Sequence, residues 1–250
     1  MNIVKVSKMI REKVRVKTFK INDMDVTGKS NSTILEVANE HGIKIPTLCY
    51  LEGLSCVGAC RMCLVEVKGS RGLVPACTSR IKEGMEVVTD SDTITKHRKM
   101  ILSMIFAERT HTCSVCVSNG NCELQNQAIE LGLEHSQVAY IHKRFDIDAS
   151  HKDYIYDPNR CILCTRCVRV CDEVEGAHAL DIFGRGIDAK IIHDMDEPWS
   201  ESDSTIHNEC LLRTMTTQGI VILTYTPLHG LTPLTLEFKE TATLLTEGMD

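Results

Sequence analysis

Cys161, Cys164, Cys167 and Cys171 form a C-x2-C-x2-C-x3-C run. This spacing holds iron–sulfur cubes, and in two-cluster arrangements the fourth Cys serves the neighbouring cluster. Three thiolates at these intervals wrap one corner of a cluster, so the run implies one-electron transfer. Four-thiolate zinc is the alternative chemistry. Zinc sites pair two separated C-x2-C knuckles, whereas here three ligands fall in one run. Arg160, Arg166 and Arg169 flank the run. They read either as a solvated charged face or as compensation for the negative charge of thiolate ligands.

Two further batches lie upstream. Cys49, Cys60, Cys63 and Cys77 are spaced C-x10-C-x2-C-x13-C, with Cys56 between. A long loop, a C-x2-C pair and a distant fourth Cys resemble the plant-type 2Fe–2S pattern in a looser form. Four ligands are available without Cys56, which reads as a buried small hydrophobe. Gly58 and Ala59 beside Cys60 let backbone approach a cluster. His111, Cys113, Cys116 and Cys122 read H-x-C-x2-C-x5-C. Three thiolates and one imidazole complete a 4Fe–4S cube, and a neutral ligand in place of a thiolate raises its potential. Arg109 is excluded as a ligand because guanidinium has no free lone pair.

The elements that must position these residues follow from local pattern. Val14, Val16, Phe19 and Ile21 suggest a strand, Asn22-Asp23 a turn and Met24 to Val26 a return strand. Thr33-x-x-Glu36 is a capping box for a helix to about His41, closed by Gly42. A hairpin, a crossing helix and a cysteine loop make a β-grasp 2Fe–2S unit over 13–91. Asp92 can cap a helix on which Ile94, Arg98, Ile101, Met104 and Ile105 form an interrupted apolar stripe, and which would deliver His111 to its loop. Glu123 to Leu131 reads as a short helix ended by Gly132. That completes a small helical 4Fe–4S unit over 92–132. Asp157-Pro158-Asn159 reads as a turn opening a ferredoxin-like 4Fe–4S unit over 150–203. The fold class is therefore α+β. Met100 and Met104 read as core residues before contributors to a docking face.

The chain has 250 residues, 13 Cys and a formal charge of −6. That charge argues against nucleic-acid binding, which favours a basic face. No stretch approaches the roughly 18 apolar residues of a membrane span. The N-terminus carries no secretory pattern. A reduced, cytoplasmic setting follows, in which the thiols are metal ligands rather than disulfides. There is no G-x-G-x-x-G after a strand and no P-loop. The chain is thus not expected to bind a dinucleotide itself.

At this point the ordered set becomes specific. Ile45-Pro46-Thr47-Leu48-Cys49, the stretch from Val115 to Gln125, the stretch from Asn159 to Glu173, and Glu175-Gly176-Ala177-His178 resemble the small, iron–sulfur diaphorase subunit of NAD-reducing, bidirectional NiFe hydrogenases. More broadly, they resemble the N-terminal cluster-binding part of the complex I large-subunit family. The complex I relatives usually place the histidine four residues before the first Cys of this loop, where Arg109 stands here. His111, two before, matches the hydrogenase type. The resemblance covers about Val14 to Ser202. It implies an oxidoreductase subunit with no complete active site of its own. Its implied partners are a flavin- and NAD-binding diaphorase subunit and the hydrogenase small and large subunits. Alternative assemblies are complex I, a formate dehydrogenase or an iron-only hydrogenase. A zinc-binding structural or assembly module is the rival of another class.

The hydrogenase subunits carry a second C-x2-C-x2-C-x3-C-P run soon after a Pro-Trp pair. Pro198-Trp199 is present, but 204–250 holds Cys210 alone. A ferredoxin-like pair of cubes needs eight ligands, and five are present. One 2Fe–2S and two 4Fe–4S clusters are therefore expected. The last cube would be held by Cys161, Cys164 and Cys167, with Cys210 or Cys171 as fourth ligand. Complex I relatives close a single cube with a remote Cys, whereas the Cys171 position usually points to a second cube.

Overall fold

A computed structural model describes residues 15–116, 118–150, 155–201 and 223–224. They fall into two compact units, one of 15–50 with 56–101, the other of 51–55 with the residues from 102 onward.

The first unit is built on a hairpin. In β1 (Val16–Ile21), Phe19 and Ile21 point inward; in β2 (Met24–Lys29), Val26 does. The strands pair antiparallel from Val16–Lys29 to Ile21–Met24. Asn22 and Asp23, both at positive φ, make the two-residue turn, whose hand matches the strand twist. The return strand runs three residues beyond the expected Val26, while Val14 lies outside the described residues. Helix α1 (Ile34–Glu40) begins with the expected capping box. The Glu36 N–H donates to Thr33 Oγ1, and the Thr33 N–H donates to Glu36 Oε2. Gly42, at φ +71°, closes it. The helix lies hard on β2: a Cβ at Gly28 would stand 2.4 Å from Val37 Cγ2.

After the cysteine loop come β3 (Leu64–Val67), β4 (Val74–Pro75) and β5 (Glu86–Val88). The five-stranded order is β2-β1-β5-β3-β4, with β1 and β5 parallel. Phe19, Ile21, Ile34, Val37, Val65, Ala76 and Val87 fill the space between sheet and helix, and Cys63 and Cys77 belong to the same core.

Helix α2 (Asp92–Glu108) follows. Its cap is Ser91, not Asp92: the Ser91 hydroxyl accepts from the Ile94 N–H. Its inward face also departs from the expected stripe. Ile94, Arg98, Leu102, Ser103 and Ala107 are buried, whereas Met100 and Met104 are 42% and 48% exposed. The reading of both methionines as core is thereby corrected. A 3.6-residue period starting at Ile94 runs through Arg98 and Leu102, and the Met side chains fall off it.

In the second unit, α3 (Glu123–Glu130) ends as expected, with Gly132 at φ +61°. β6 (Ile155–Tyr156) pairs with β9 (Leu223–Thr224), and β7 (Leu180–Phe183) with β8 (Lys190–His193), both antiparallel. Asp157 caps the turn at Pro158–Arg160 by accepting from the Asn159 N–H. The short α4 (Arg166–Arg169) runs into a wider turn over Val170–Val174 that carries Cys171. Tyr156, Cys161, Cys167, Cys171, Leu180, Ile191 and Trp199 form one core. Trp199 stacks 4.0 Å from the His193 ring, and the Tyr156 hydroxyl donates to the Ile191 carbonyl. No helix among the described residues is long and apolar enough to cross a membrane. The α+β class holds.

Candidate iron–sulfur centres

The first cysteine batch converges in the first unit. Cys49, Cys63 and Cys77 are buried and Cys60 half-buried. Cys63 and Cys77 sulfurs lie 3.4 Å apart, and the Leu48 N–H points at Cys60 Sγ at 3.4 Å. The loop achieves this through left-handed backbone at Gly58 and Arg61, and the Ala76 N–H donates to the Cys63 carbonyl. Crowding makes joint ionisation costly. A hydrogen bond with Cys49, then burial, pushes the Cys60 thiol up. The hydrogen bond with Cys63, then burial, does the same at Cys77. Cys63 is held down at about 7, chiefly by the Cys77 hydrogen bond. Four packed thiols become four thiolates only around compensating positive charge, which iron supplies. Cys56 is half-buried and close enough to act on Cys77, so it is not the core residue that its spacing suggested.

Arg98 is the residue that sequence reading missed here. The expected apolar stripe of the helix includes it and implies no such role. Its buried guanidinium donates to the carbonyls of Met62 (3.0 Å), Leu64 (3.0 Å) and Thr89 (3.2 Å). Met62 lies inside the Cys60-x-x-Cys63 pair, so α2 fixes the loop that presents two thiols.

The second unit holds both other batches. Cys113 opens a short 3-10 turn, and the Cys116 N–H donates to its carbonyl. Cys122 is the residue before α3. Burial raises the Cys113 thiol, and Cys122 and Cys116 add to that, while Arg160 opposes it. His111 stands with its ring edge-on to Phe106. Burial, then Arg160 and Arg109, lowers its pKa to about 4, so the imidazole is neutral. Its Nε2 is buried without a hydrogen-bond partner. A neutral imidazole with an orphaned nitrogen, on the same loop as Cys113, Cys116 and Cys122, fits a histidine-ligated centre.

Cys161, Cys164 and Cys167 are all buried. Leu163 and Thr165 sit at φ +52° and +60°, which curls the chain around the three sulfurs. The Leu163 N–H donates to Cys161 Sγ. Burial pushes Cys161 up to about 12 and raises Cys167 well above the ordinary thiol range, with Cys164 adding to both. Cys171 is fully buried in the adjoining core, where its sulfur accepts from the Ala179 N–H. Cys210 lies outside the described residues. Among the described residues, no three His, Cys, Asp or Glu side chains close on a single metal ion.

The arginines are not a solvated face. Arg166 and Arg169 are buried, while Arg160 is tied to Asp157 at 3.1 Å. Arg169 donates to the Cys164 carbonyl and to Ser55 O, and the Ser55 N–H donates to Glu173. Arg166 Nη2 pairs with Glu123 Oε2 at 2.9 Å. That ion pair ties the residue after Cys122 to the residue before Cys167.

Three family models match in the same order as the three batches. They are the 2Fe-2S iron–sulfur cluster binding domain over 15–92, the NADH-ubiquinone oxidoreductase-G iron–sulfur binding region over 98–137, and the ferredoxin-like domain of NADH-quinone oxidoreductase subunit 3 over 155–205. The gamma subunit of the NAD-reducing hydrogenase HoxS of Cupriavidus necator is 33% identical over 172 residues, which are 68% of this chain and 73% of that one. The chain belongs to the family of this hydrogenase subunit and the complex I cluster-binding subunits. A crystal structure of NAD+-reducing [NiFe]-hydrogenase in the H2-reduced state supports the same family. It matches with a TM-score of 0.72 and 31% identity, over 87% of this chain and 91% of that chain. The NADPH-Fe(3+) oxidoreductase subunit alpha of Geobacter sulfurreducens is 37% identical over 176 residues, 70% of this chain. The chain spans about a fifth of that relative, 21% of its length. Members of the family are iron–sulfur subunits of NAD-linked oxidoreductase complexes.

Proposed function

We propose that the chain is a cytoplasmic electron relay between an NAD(H)-oxidising flavoprotein subunit and a NiFe hydrogenase module. The observation that carries this reading is the pairing of two cube-type ligand sets inside one compact unit: buried Cys161, Cys164 and Cys167, and His111, with an unpartnered Nε2, on the loop of Cys113, Cys116 and Cys122. Two such sets serve a chain of one-electron centres rather than a single catalytic site.

Cys49, Cys60, Cys63 and Cys77 would hold a 2Fe–2S cluster. His111, Cys113, Cys116 and Cys122 would hold one 4Fe–4S cluster, and Cys161, Cys164 and Cys167 a second, with Cys171 or Cys210 as fourth ligand. The domain partition at 13–91, 92–132 and 150–203 goes with this assignment. The clusters, when bound, supply the redox chemistry. The chain's own residues bury them, fix their loops through Arg98 and Arg169, and place positive charge beside the thiolates. The lack of a dinucleotide fingerprint leaves the hydride step to the partner.

The test is anaerobic stopped-flow mixing of NADH with the reconstituted chain. Alone, its clusters stay oxidised; with the flavoprotein partner they bleach. Rapid bleaching without flavin defeats the relay reading. A second reading keeps the relay but places it in a formate dehydrogenase or complex I assembly, because the chain's relatives include both types. Subunit identification after native co-purification separates the two. A colourless, zinc-loaded protein would overturn both.

A further inference from the structure

Two cysteine loops of the second unit are each carried by a helix. Gln125 in α3 holds the loop that ends at Cys122: its Oε1 accepts from the Gly120 N–H at 2.8 Å, and its Nε2 donates to Asn119 Oδ1 at 2.9 Å. The Asn119 N–H donates in turn to the Cys116 carbonyl at 3.0 Å. Arg169 in α4 holds the other loop, donating to the Cys164 carbonyl at 3.3 Å and to Thr165 Oγ1 at 3.2 Å. The first residues of the two helices then meet: Arg166 Nη2 lies 2.9 Å from Glu123 Oε2. Glu123 directly follows Cys122, and Arg166 directly precedes Cys167. The ion pair therefore stands one residue from a candidate ligand on each side.

Neither surface pairing nor helix capping accounts for this contact. Exposed ion pairs contribute little, but the Arg166 side chain is only 4% exposed, and a buried cation needs its counter-charge. A cation at the start of a helix also opposes the helix dipole, so the position gives α4 no local stability. The pair instead joins two helices that each carry a cysteine loop. We propose that Arg166 and Glu123 are positioning residues that hold the loop of Cys113, Cys116 and Cys122 against the loop of Cys161, Cys164 and Cys167. They would thereby set the path by which one electron passes between the two 4Fe–4S centres. In that step the donor centre is oxidised by one electron and the acceptor reduced by one, with no bond made or broken. Its rate falls steeply with the separation of the centres, and outer contacts that fix the ligand loops fix that separation. This inference rests on the cluster assignment above.

The test is low-temperature EPR of the reconstituted, fully reduced full chain, comparing wild type with Glu123→Gln and with the exchanged pair Glu123→Arg, Arg166→Glu. Cys164→Ser removes one cube and shows the other alone. In wild type the two reduced cubes should broaden each other's signals, and the remaining cube of Cys164→Ser should lose that broadening. Glu123→Gln should load the same iron as wild type but lose much of the mutual broadening, and the exchanged pair should regain it. A role in stability alone would lower iron content and leave the interaction of the loaded cubes unmoved. Two 4Fe–4S signals without mutual interaction in wild type, an interaction unchanged in Glu123→Gln, or no recovery in the exchanged pair overturns the proposal and leaves the relay reading standing. Absence of any 4Fe–4S signal in wild type overturns the cluster assignment itself, and the proposal with it.

Discussion

Arg98 Nε donates to the Met62 carbonyl at 3.0 Å, so a helix outside the cysteine loop fixes the peptide between Cys60 and Cys63. The same guanidinium holds Leu64 and Thr89. One side chain therefore joins the start of β3, the end of β5 and the loop that presents two thiols. Hydrogen bonds from a charged donor contribute about 1.5–3 kcal/mol each, and buried carbonyls left open cost more than the bond was worth. Arg98→Met should destabilise the first unit by about 2–4 kcal/mol and reduce 2Fe–2S occupancy. Urea unfolding and the visible spectrum of the variant are the measurements. Wild-type stability and occupancy would show that the loop is held by its sulfurs alone.

Cys63→Ser should abolish the 2Fe–2S EPR signal and leave both cube signals. Cys63 lies in the first unit, and the cube batches in the second. The check is low-temperature EPR of the anaerobically reduced variant. Simultaneous loss of every signal would mean that the centres assemble as one.

Replacing His111 should act on one cube. His111→Ala removes the proposed neutral ligand, whose Nε2 is otherwise orphaned, and one 4Fe–4S signal should weaken or change shape. His111→Cys adds a thiolate and should move that centre to lower potential, since anionic ligands stabilise the oxidised state. If redox titration finds both variants identical to wild type, the fourth ligand is elsewhere.

Anaerobic reconstitution should load about ten irons per chain, from one 2Fe–2S and two 4Fe–4S clusters. Iron and acid-labile sulfide assays measure it. About fourteen would require a third cube, which the ligand count after Trp199 does not provide. Iron removal by chelator should bleach the visible absorption and loosen the Cys161–Cys171 core, because metal binding and folding are coupled in small cluster-rich units.

Spacing alone singled out the candidate ligand batches of this protein. Sulfur ligands to a cluster must leave the chain at short fixed intervals, so C-x2-C-x2-C and H-x-C-x2-C-x5-C are visible without a structure. Local elements were equally legible. The Thr33–Glu36 box and the Asn22-Asp23 turn involve residues within a few positions of each other, and near-neighbour hydrogen bonds decide them. The stripe of α2 was not legible, because a period of 3.6 tolerates several phases and only the folded structure chose the one through Arg98 and Leu102. The reach of Arg98 to Met62, 36 residues away, has no sequence signature. Nor does the fate of Arg109, which was legible as a residue unable to bind iron but not as a buried cation. Its burial over Phe145, and its two open donors, exist only once residues far apart in the chain have been brought together around one core.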